Sequence, residues 1–514
     1  HGKSWTAISP DLTTNDTTKQ QQETTGGLTY DNTGAELHTT LLAISPSPAE
    51  EGVIWAGSDD GLVHVTRDGG DNWTNVTAGL KGLPTGAWIN QIHVTNRAGE
   101  ALVVANDYRR DNWTPYLYRT LDYGKSWTRL VDEDQIWGYC LSVIQDPEVP
   151  NLLFLGTEFG LYLSIDDGEN WTKWDRHYPT VSTMDMALQE READLVLGTF
   201  GRAVWILDDI RPLRTIARLG MDEVLAKDVH VFDAPLAYLS HMGEPNGYRS
   251  TGHGLFMGEN RPQGALLSYY VAAPEAGKKV KVEVVNAEGD VIRTLYHQPD
   301  TGINRFTWDL TRSGIRYPTR PKPDNPEYEA GGREVMPGTY TVRITYGEHS
   351  SETPVEVRMD PKIPLTQNQL AQKAELLDDF AALTAEVTER ADRIRQAQKD
   401  LQRVQDLAKE HEHEELIKQG KVHQKGLMEL MEMITGPQDM QGIYRDPDAL
   451  TSMLSTPGRL LQGMLFEPTP AQRAAIDNAR EEIMPKLTAI DAYFSGPWAE
   501  LKEAVAEANL SMMK

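Results

Sequence analysis

The chain has 514 residues, and its 76 acidic against 50 basic residues give a formal net charge of −26. Phosphate binding needs a basic stripe, so this composition argues against nucleic acid as a partner. No run of 18 or more apolar residues occurs, which predicts no membrane span, and the single cysteine, Cys140, cannot form a disulfide within the chain.

The chain opens on a short phrase that then repeats three times. Residues 66–73, 120–127 and 164–171 each fit Ser/Thr-x-Asp-x-Gly-x-x-Trp, and residues 1–5 fit the last five positions. An internal repeat is the strongest sequence signal for a fold. The truncated copy predicts that the chain is the C-terminal part of a larger product.

Each phrase has a mechanical interpretation. An Asp carboxylate accepts hydrogen bonds from nearby backbone N–H groups, Gly takes positive φ without strain, and the Trp ring then packs between neighbouring sheets. Strand patterns precede every phrase, so each unit is expected to be a meander of about four strands, as in a propeller blade. The residues predicted to be structural in this way are Asp68, Trp73, Asp122, Trp127, Asp166 and Trp171.

These phrases resemble the Asp-box, or BNR-repeat, propellers, a group that includes sialidases, xyloglucanase-type glycoside hydrolases and sortilin-like domains. The resemblance implies a β-propeller whose boxes are folding devices on the blade periphery. Blade-like units run over 36–77, 88–130, 137–174 and 181–212. Four units are at the low end of the roughly four to eight blades that a closed propeller has. We therefore expect residues 1–212 to be the C-terminal blades of a propeller that an upstream half or a second chain completes.

Three further regions follow. Residues 213–263 are irregular and predict a connecting segment packed on the propeller. Residues 264–360 alternate as an antiparallel β-sandwich does, and 302–309 with 336–342 resemble the Ig-like module of the hook-capping protein FlgD, which implies spacing or docking. Residues 361–514 predict a helical hairpin or bundle, so the expected fold class is mainly β with an α C-terminus.

The propeller resemblance also places a ligand face. It implies that the loops leading into each inner strand, and those between the second and third strands, form that face. The carboxylates, arginine side chains and aromatic rings of these loops suit a polar or sugar-like ligand. The predicted ligand-binding residues are Glu36, His38, Asp60, Trp88, Asn90, Asp107, Arg109, Trp137 and Arg202.

A catalytic hypothesis rests on two carboxylates. Glycoside hydrolysis needs a pair of carboxyl groups about 5 to 10 Å apart, and Glu158 with Asp59 or Asp60 occupies corresponding loops of different blades. The alternative to catalysis is a structural role, because an Asp before Gly, as Asp60 is, ordinarily forms a turn. A sialidase is disfavoured because the N-terminal arginine motif of that group is absent.

The sequence contains no GxSxG, HExxH, CxxC or P-loop motif and no complete EF-hand loop, so neither a cofactor nor a metal ion is predicted. Taken as a whole, the chain resembles large bacterial proteins described as sortilin-like or BNR-repeat "glycosyl hydrolases". That resemblance implies an extracellular, periplasmic or outer-surface protein that binds an extracellular polymer or protein and acts in assembly. A glycoside hydrolase of the xyloglucanase type is the alternative.

Overall fold

The computed structural model describes residues 2–21, 38–240, 261–325, 327–437, 446–462 and 467–508. The chain divides into two compact units, His1–Asp228 and Val229–Lys514. Unit 1 is mostly β sheet, whereas unit 2 combines β sheets with a helical C-terminal region. The expected fold class, mainly β with an α C-terminus, is therefore confirmed.

Unit 1 is built from consecutive antiparallel sheets, which we call blades 1 to 4. Blade 1 contains β1 (Leu41–Pro46), β2 (Ile54–Ser58), β3 (Val63–Thr66) and β4 (Trp73–Asn75). Blade 2 contains β5 (Trp88–Val94), β6 (Ala101–Asp107), β7 (Asn112–Thr120) and β8 (Thr128–Arg129). Blade 3 contains β9 (Cys140–Gln145), β10 (Leu153–Thr157), β11 (Gly160–Ser164) and β12 (Thr172–Trp174). Blade 4 has three strands in the described residues, β13 (Thr183–Gln189), β14 (Asp194–Thr199) and β15 (Val204–Leu207).

The first strands of the blades lie side by side. β1 contacts β5, β5 contacts β9 and β9 contacts β13, while the later strands of each blade follow outward in chain order. Apolar side chains fill the space between blades, as Trp55 of blade 1 does against Ile89 and Val103 of blade 2. Unit 1 is thus propeller-like.

The repeated phrase forms the same hydrogen-bonded turn three times. In the first copy, Asp68 Oδ1 accepts from the Asn72 backbone N–H (2.8 Å) and from the Thr66 hydroxyl (2.8 Å), and Thr66 Oγ1 accepts from the Gly70 N–H (3.0 Å). The equivalent bonds in 120–127 and 164–171 measure 2.7 to 2.9 Å. The Asn72 amide, its backbone N–H and the Thr66 hydroxyl together lower the pKa of Asp68 to about 2.

The glycine at the fifth position of each turn lets two blades approach closely. Gly124 has φ +81°, and a Cβ on it would lie 2.7 Å from Cβ of Val76 in the preceding blade. The same measurement gives 2.3 Å from Gly70 to the Ile8 carbonyl oxygen and 3.1 Å from Gly168 to Leu130 Cδ1. Each contacted residue comes three positions after the Trp of the copy before. We call this contact the blade joint.

Two of the repeated tryptophans also bond across the joint. Trp73 Nε1 donates to the Ile8 carbonyl (2.9 Å), and Trp171 Nε1 donates to the Leu130 carbonyl (3.0 Å). Since Ile8 follows Trp5 as Leu130 follows Trp127, residues 5–8 occupy the place beside blade 1 that residues 127–130 occupy beside blade 3.

Polar side chains of β5 bond the backbone of β9 in the next blade. The Asn90 amide donates to the Leu141 carbonyl, and Gln91 Oε1 accepts from the Val143 N–H at 2.6 Å. His93 Nε2 accepts from the Gln145 N–H at 3.3 Å. Asn90, predicted as a ligand residue, is therefore engaged in holding blades 2 and 3 together.

Two short helices end unit 1, α1 (Arg211–Leu219) and α2 (Met221–Leu225). Helix α1 packs on the core of blades 3 and 4, and its buried Arg214 binds Asp146 (2.8 Å) and Glu148 (2.7 Å). The predicted connecting segment, 213–263, thus contains regular structure in its described part. Its residues 241–260 lie outside the described residues.

Unit 2 begins with two larger sheets and a hairpin. One sheet has the order β16 (Val229–Val231), β18 (Ala265–Val271), β21 (Ile303–Trp308). The other has the order β17 (Ala237–Leu239), β25 (His349–Met359), β24 (Gly338–Tyr346), β19 (Val280–Val285), β20 (Val291–His297). The hairpin pairs β22 (Thr311–Ser313) with β23 (Gly331–Glu334). The buried side chains of both larger sheets share one core, and the likeness to an Ig module stays a prediction.

Helices complete unit 2. They are α3 (Gln367–Glu410), α4 (Glu414–Thr435), α5 (Leu450–Leu461), α6 (Pro470–Ser495) and α7 (Pro497–Glu507). A capping box between Thr366 and Gln369 starts α3. The apolar stripe of α3 packs into a core shared with the other four helices, so the five helices form a bundle. Within the described ranges, no helix is both long and apolar enough to cross a membrane.

Candidate ligand-binding face

The loops that lead into β1, β5, β9 and β13, together with the loops between second and third strands, form what we call the loop face. On blade 2, the Arg109 guanidinium lies 3.2 Å from the centre of the Trp88 ring and 4.4 Å from the Tyr108 ring. These contacts remove water from Arg109 and lower its pKa, an effect that Tyr108, Tyr139 and Asp59 oppose. Arg109 is thus the electrostatic neighbour of groups on blades 1 and 3.

Blade 3 continues this arrangement. Tyr139 stacks on Tyr108 with ring centres 4.5 Å apart, and its hydroxyl donates to Glu158 Oε2 at 2.6 Å. Ser182, in the loop leading into blade 4, donates to the same oxygen at 2.8 Å. Burial and the bond to Glu158 raise the pKa of Tyr139, so its phenol stays protonated at neutral pH.

On blade 1 the carboxylates are engaged by the chain itself. Asp59 accepts from the Thr40 N–H (2.8 Å) and lies 3.4 Å from His38 Nδ1, and Asp60 accepts from the Ser58 hydroxyl and the Thr14 N–H. Burial works against the charged form of Asp60, yet these hydrogen bonds outweigh it and hold its pKa below the usual value. Asp60 therefore anchors residues near Thr14.

Two more of the predicted ligand residues, Asp107 and Arg202, make contacts of their own. Asp107 is paired with Arg110 (2.6 Å) and Asn112 (3.2 Å) within its own loop. Arg202 is exposed, and among the described residues its guanidinium donates to the carbonyl of the adjacent Gly201. Glu36 lies outside the described residues.

An open groove of about 460 Å³ lies between the loops of blades 2 and 3. Trp137 stacks on Phe159 at 4.1 Å with 18° between the planes, and Trp113 lies 6.4 Å from Phe159 at 15°. Both indoles are exposed, Trp113 to 49% and Trp137 to 61%. Two exposed indoles, each nearly parallel to the half-buried Phe159 ring, therefore lie on the loop face.

The backbone beside these rings is shaped to admit them. Gly138 has φ +83°, and a Cβ on it would lie 2.6 Å from Phe159 Cδ2. The groove is also lined by the carboxylates of Asp111 and Glu133. Asp111 Oδ1 accepts from Trp113 Nε1 at 3.2 Å, which fixes the orientation of that indole.

Sequence reasoning missed Phe159 and Ser182. A phenylalanine at the end of a strand is ordinarily interpreted as a core residue. One signal was available, because Gly-Thr-Glu-Phe-Gly at 156–160 is similar to Gly-Thr-Phe-Gly at 198–201, which indicates that this loop is part of the repeat. The contact between Ser182 and Glu158 joins two blades and has no local signal. In the part of the chain that the structure describes, no group of three or more His, Cys, Asp or Glu side chains is placed to hold a metal ion.

Neither a family model nor a curated protein matches this chain. Among solved structures, YCF48 from Cyanidioschyzon merolae aligns over 32% of this chain and 52% of its own, with 20% identity and a TM-score of 0.25. The GH74 xyloglucanase from Xanthomonas campestris aligns over 61% of this chain and 45% of its own, with 17% identity and a TM-score of 0.27. A structure of YCF48 bound to D1 peptide aligns over 61% of this chain and 81% of its own, at 14% identity and a TM-score of 0.24.

The matched region spans about half the length of the first two of these proteins. TM-scores of this size carry no information on activity. The propeller-like arrangement therefore rests on the sheets of unit 1, and any functional proposal has to rest on the loop face.

Proposed function

We propose that this chain is a secreted or cell-envelope Asp-box propeller protein, at the extracellular, periplasmic or outer surface of a bacterium, whose loop face binds an extracellular polymer or protein. The observation that carries the proposal is the continuous contact from Trp88 and Arg109 through Tyr108 and Tyr139 to Glu158. Side chains of separate blades meet there while exposed rings lie beside them. This is the composition of a recognition surface for a polar ligand.

The first experiment measures binding at this surface. Affinity gel electrophoresis of the whole chain against a panel of soluble polysaccharides, together with pull-down of envelope proteins, compares Arg109→Ala with Arg202→Ala. Arg109 lies in the cluster and Arg202 does not, so only Arg109→Ala should release the ligand. Equal loss in both variants, or retention in both, would contradict the assignment of the loop face.

Assembly is the second part of the proposal. On β15 the same strand face exposes Val204 (61%) and Ile206 (58%), and on β1 Leu42 and Ile44 are exposed in the same way. Apolar sheet faces of neighbouring blades cover each other elsewhere in unit 1, so an upstream propeller half or a second chain of blade-like sheets is proposed to cover these.

Co-expression with a candidate partner chain of blade-like sheets tests this part of the proposal. The complex should co-purify with the wild-type chain, and Ile206→Asp should abolish it. The matched control is Met428→Asp, because Met428 is similarly exposed on α4 at 52%. Co-purification that survives Ile206→Asp would refute this covering of blade 4.

A glycoside hydrolase of the xyloglucanase type is the competing function. It is favoured by Glu158: Tyr139 and Ser182 both donate to Oε2, and within the described part of the chain Oε1 is left to meet a ligand. It is disfavoured by Asp59, which is 4% exposed and holds the Thr40 backbone. Reducing-sugar release that Glu158→Gln and Asp59→Asn both abolish would establish the enzyme, and no release on any polysaccharide would exclude it.

A further inference from the structure

The groove between Trp113 and Trp137 carries a narrower conclusion about the ligand. We propose that it binds a neutral glycan chain, with sugar rings stacked on the two indoles and hydroxyl groups donating to Asp111 and Glu133. This rests on the proposed binding function of the loop face and names the ligand class.

The ring geometry is the first reason. The planes of Trp137 and Trp113 each lie within 20° of the Phe159 plane, so both indoles present flat surfaces close to parallel with that ring. A flat platform suits the C–H face of a pyranose ring, which is apolar across its breadth. A quaternary ammonium ion is instead bound by rings that meet at angles around the charge.

The hydrogen-bonding capacity of the groove is the second reason. The side-chain donors that line it are already used within the protein. Trp113 Nε1 donates to Asp111, the Asn112 amide donates to Asp107 and Tyr116, and the Thr114 side chain hydrogen-bonds Glu133. The groups left to meet a ligand are therefore acceptors, chiefly carboxylate oxygens. A glycan supplies many hydroxyl donors, whereas a peptide backbone needs donors and acceptors in equal number.

Charge is the third reason. The groove is lined by Asp111 and Glu133 without a lysine or arginine among its lining residues, in a chain of formal net charge −26. Lys173 approaches the Trp137 ring at 5.3 Å and is the one cation described beside these rings. A polymer of uronic acids or sulfated sugars would bring like charges together, so the neutral class is favoured.

The structure also keeps the platform in place before any ligand arrives. Phe159 supports Trp137 from beneath, and Gly138 admits Phe159 against the backbone. Rings that are already oriented lose little conformational entropy on binding. The exposed indoles therefore form a preorganised contact surface.

Isothermal titration calorimetry on the whole chain tests the proposal with defined probes. Cellohexaose, mannohexaose and a xyloglucan oligosaccharide represent neutral glycans, a hexamer of galacturonate represents anionic ones, and choline represents a cation. At least one neutral probe should bind, and Trp137→Ala and Trp113→Ala should each weaken it about tenfold, the scale of one lost ring contact.

Two variants control for other effects. Trp137→Phe keeps a ring and should retain most of the affinity, while Phe200→Ala removes an exposed ring on blade 4 outside the groove and should change nothing. Trp113 is 49% and Trp137 61% exposed, so their removal should leave the circular dichroism spectrum intact. Binding of galacturonate or choline in place of every neutral probe would overturn the proposal.

The failure of this inference is distinguishable from that of the proposed function. If no neutral probe binds, but a protein or an anionic polymer binds and Arg109→Ala releases it, the proposed function is supported and the glycan assignment is wrong. If a neutral probe binds and only the indole variants weaken its binding, the glycan assignment of the groove is supported and the proposed role of Arg109 is wrong.

Discussion

Gly124→Ala should destabilise unit 1 by obstructing the blade joint. An alanine at φ +81° takes on the strain of a left-handed residue, about 1 to 2 kcal/mol. Its Cβ would also lie 2.7 Å from Cβ of Val76, and overpacking of a filled interior costs about 1 to 3 kcal/mol. The expected loss in the free energy of unfolding is therefore about 2 to 5 kcal/mol.

Gly69→Ala is the matched control. Gly69 precedes the joint glycine in the first copy, has φ +74°, and has nothing within 4 Å of the added Cβ. This variant should show the backbone strain alone, about 1 to 2 kcal/mol. Urea unfolding followed by tryptophan fluorescence reports chiefly unit 1, because all tryptophans except Trp308 and Trp498 lie there.

The clash itself is isolated by a double variant. Val76→Ala removes the two methyl carbons, 2.8 and 2.9 Å from the added Cβ, and keeps the Val76 Cβ, so the clash is relieved in part and the combined loss should be smaller than the sum of the two single losses. Equal midpoint shifts for Gly124→Ala and Gly69→Ala, or simple additivity with Val76→Ala, would show that the blade joint is not a close contact.

Burial lowers the pKa of His93 to about 4, whereas the same histidine in the unfolded chain has a pKa of about 6.5. Between these two pH values the unfolded chain is protonated at His93 and the folded chain is not. The free energy of unfolding should therefore fall by about 3 kcal/mol in total as the pH drops from 6.5 to 4. His93→Gln keeps an acceptor for the Gln145 N–H, and its urea midpoint should depend less on pH in this window; an unchanged slope would assign the titration elsewhere. Arg214→Met should leave the Asp146 carboxylate buried without its cation and cost about 3 to 5 kcal/mol by urea unfolding. The double variant with Asp146→Asn should recover part of this loss, and no recovery would contradict the ion-pair argument.

The repeat predicted unit 1 well because it fixes both the turn and the spacing of strands. Patterns at 53–57 and 152–156 correspond to β2 and β10, displaced by one residue, since strand ends depend on pairing and not on composition. Within the helical region predicted over 361–514, helix α5 contains Pro457 and Gly458. Both residues disfavour helix locally, and packing of Leu450 and Leu454 in the helical core overrides that preference.

The loop face was predicted in part. Trp88, Arg109 and Glu158 lie in the cluster, because the position of a loop in the repeat determines the face on which it lies. Asn90 and Asp60 came from the same positions, yet their side chains bond neighbouring backbone. Whether a polar side chain meets solvent or a carbonyl depends on the next blade, which a single strand pattern does not encode.

The blade joint uses the same few positions in every copy and lies away from the loop face. Duplication of one gene segment would therefore copy a blade together with the means of attaching it to its neighbour. Substitutions in the loops would leave that attachment untouched. Loop substitution and blade duplication would therefore alter different parts of unit 1.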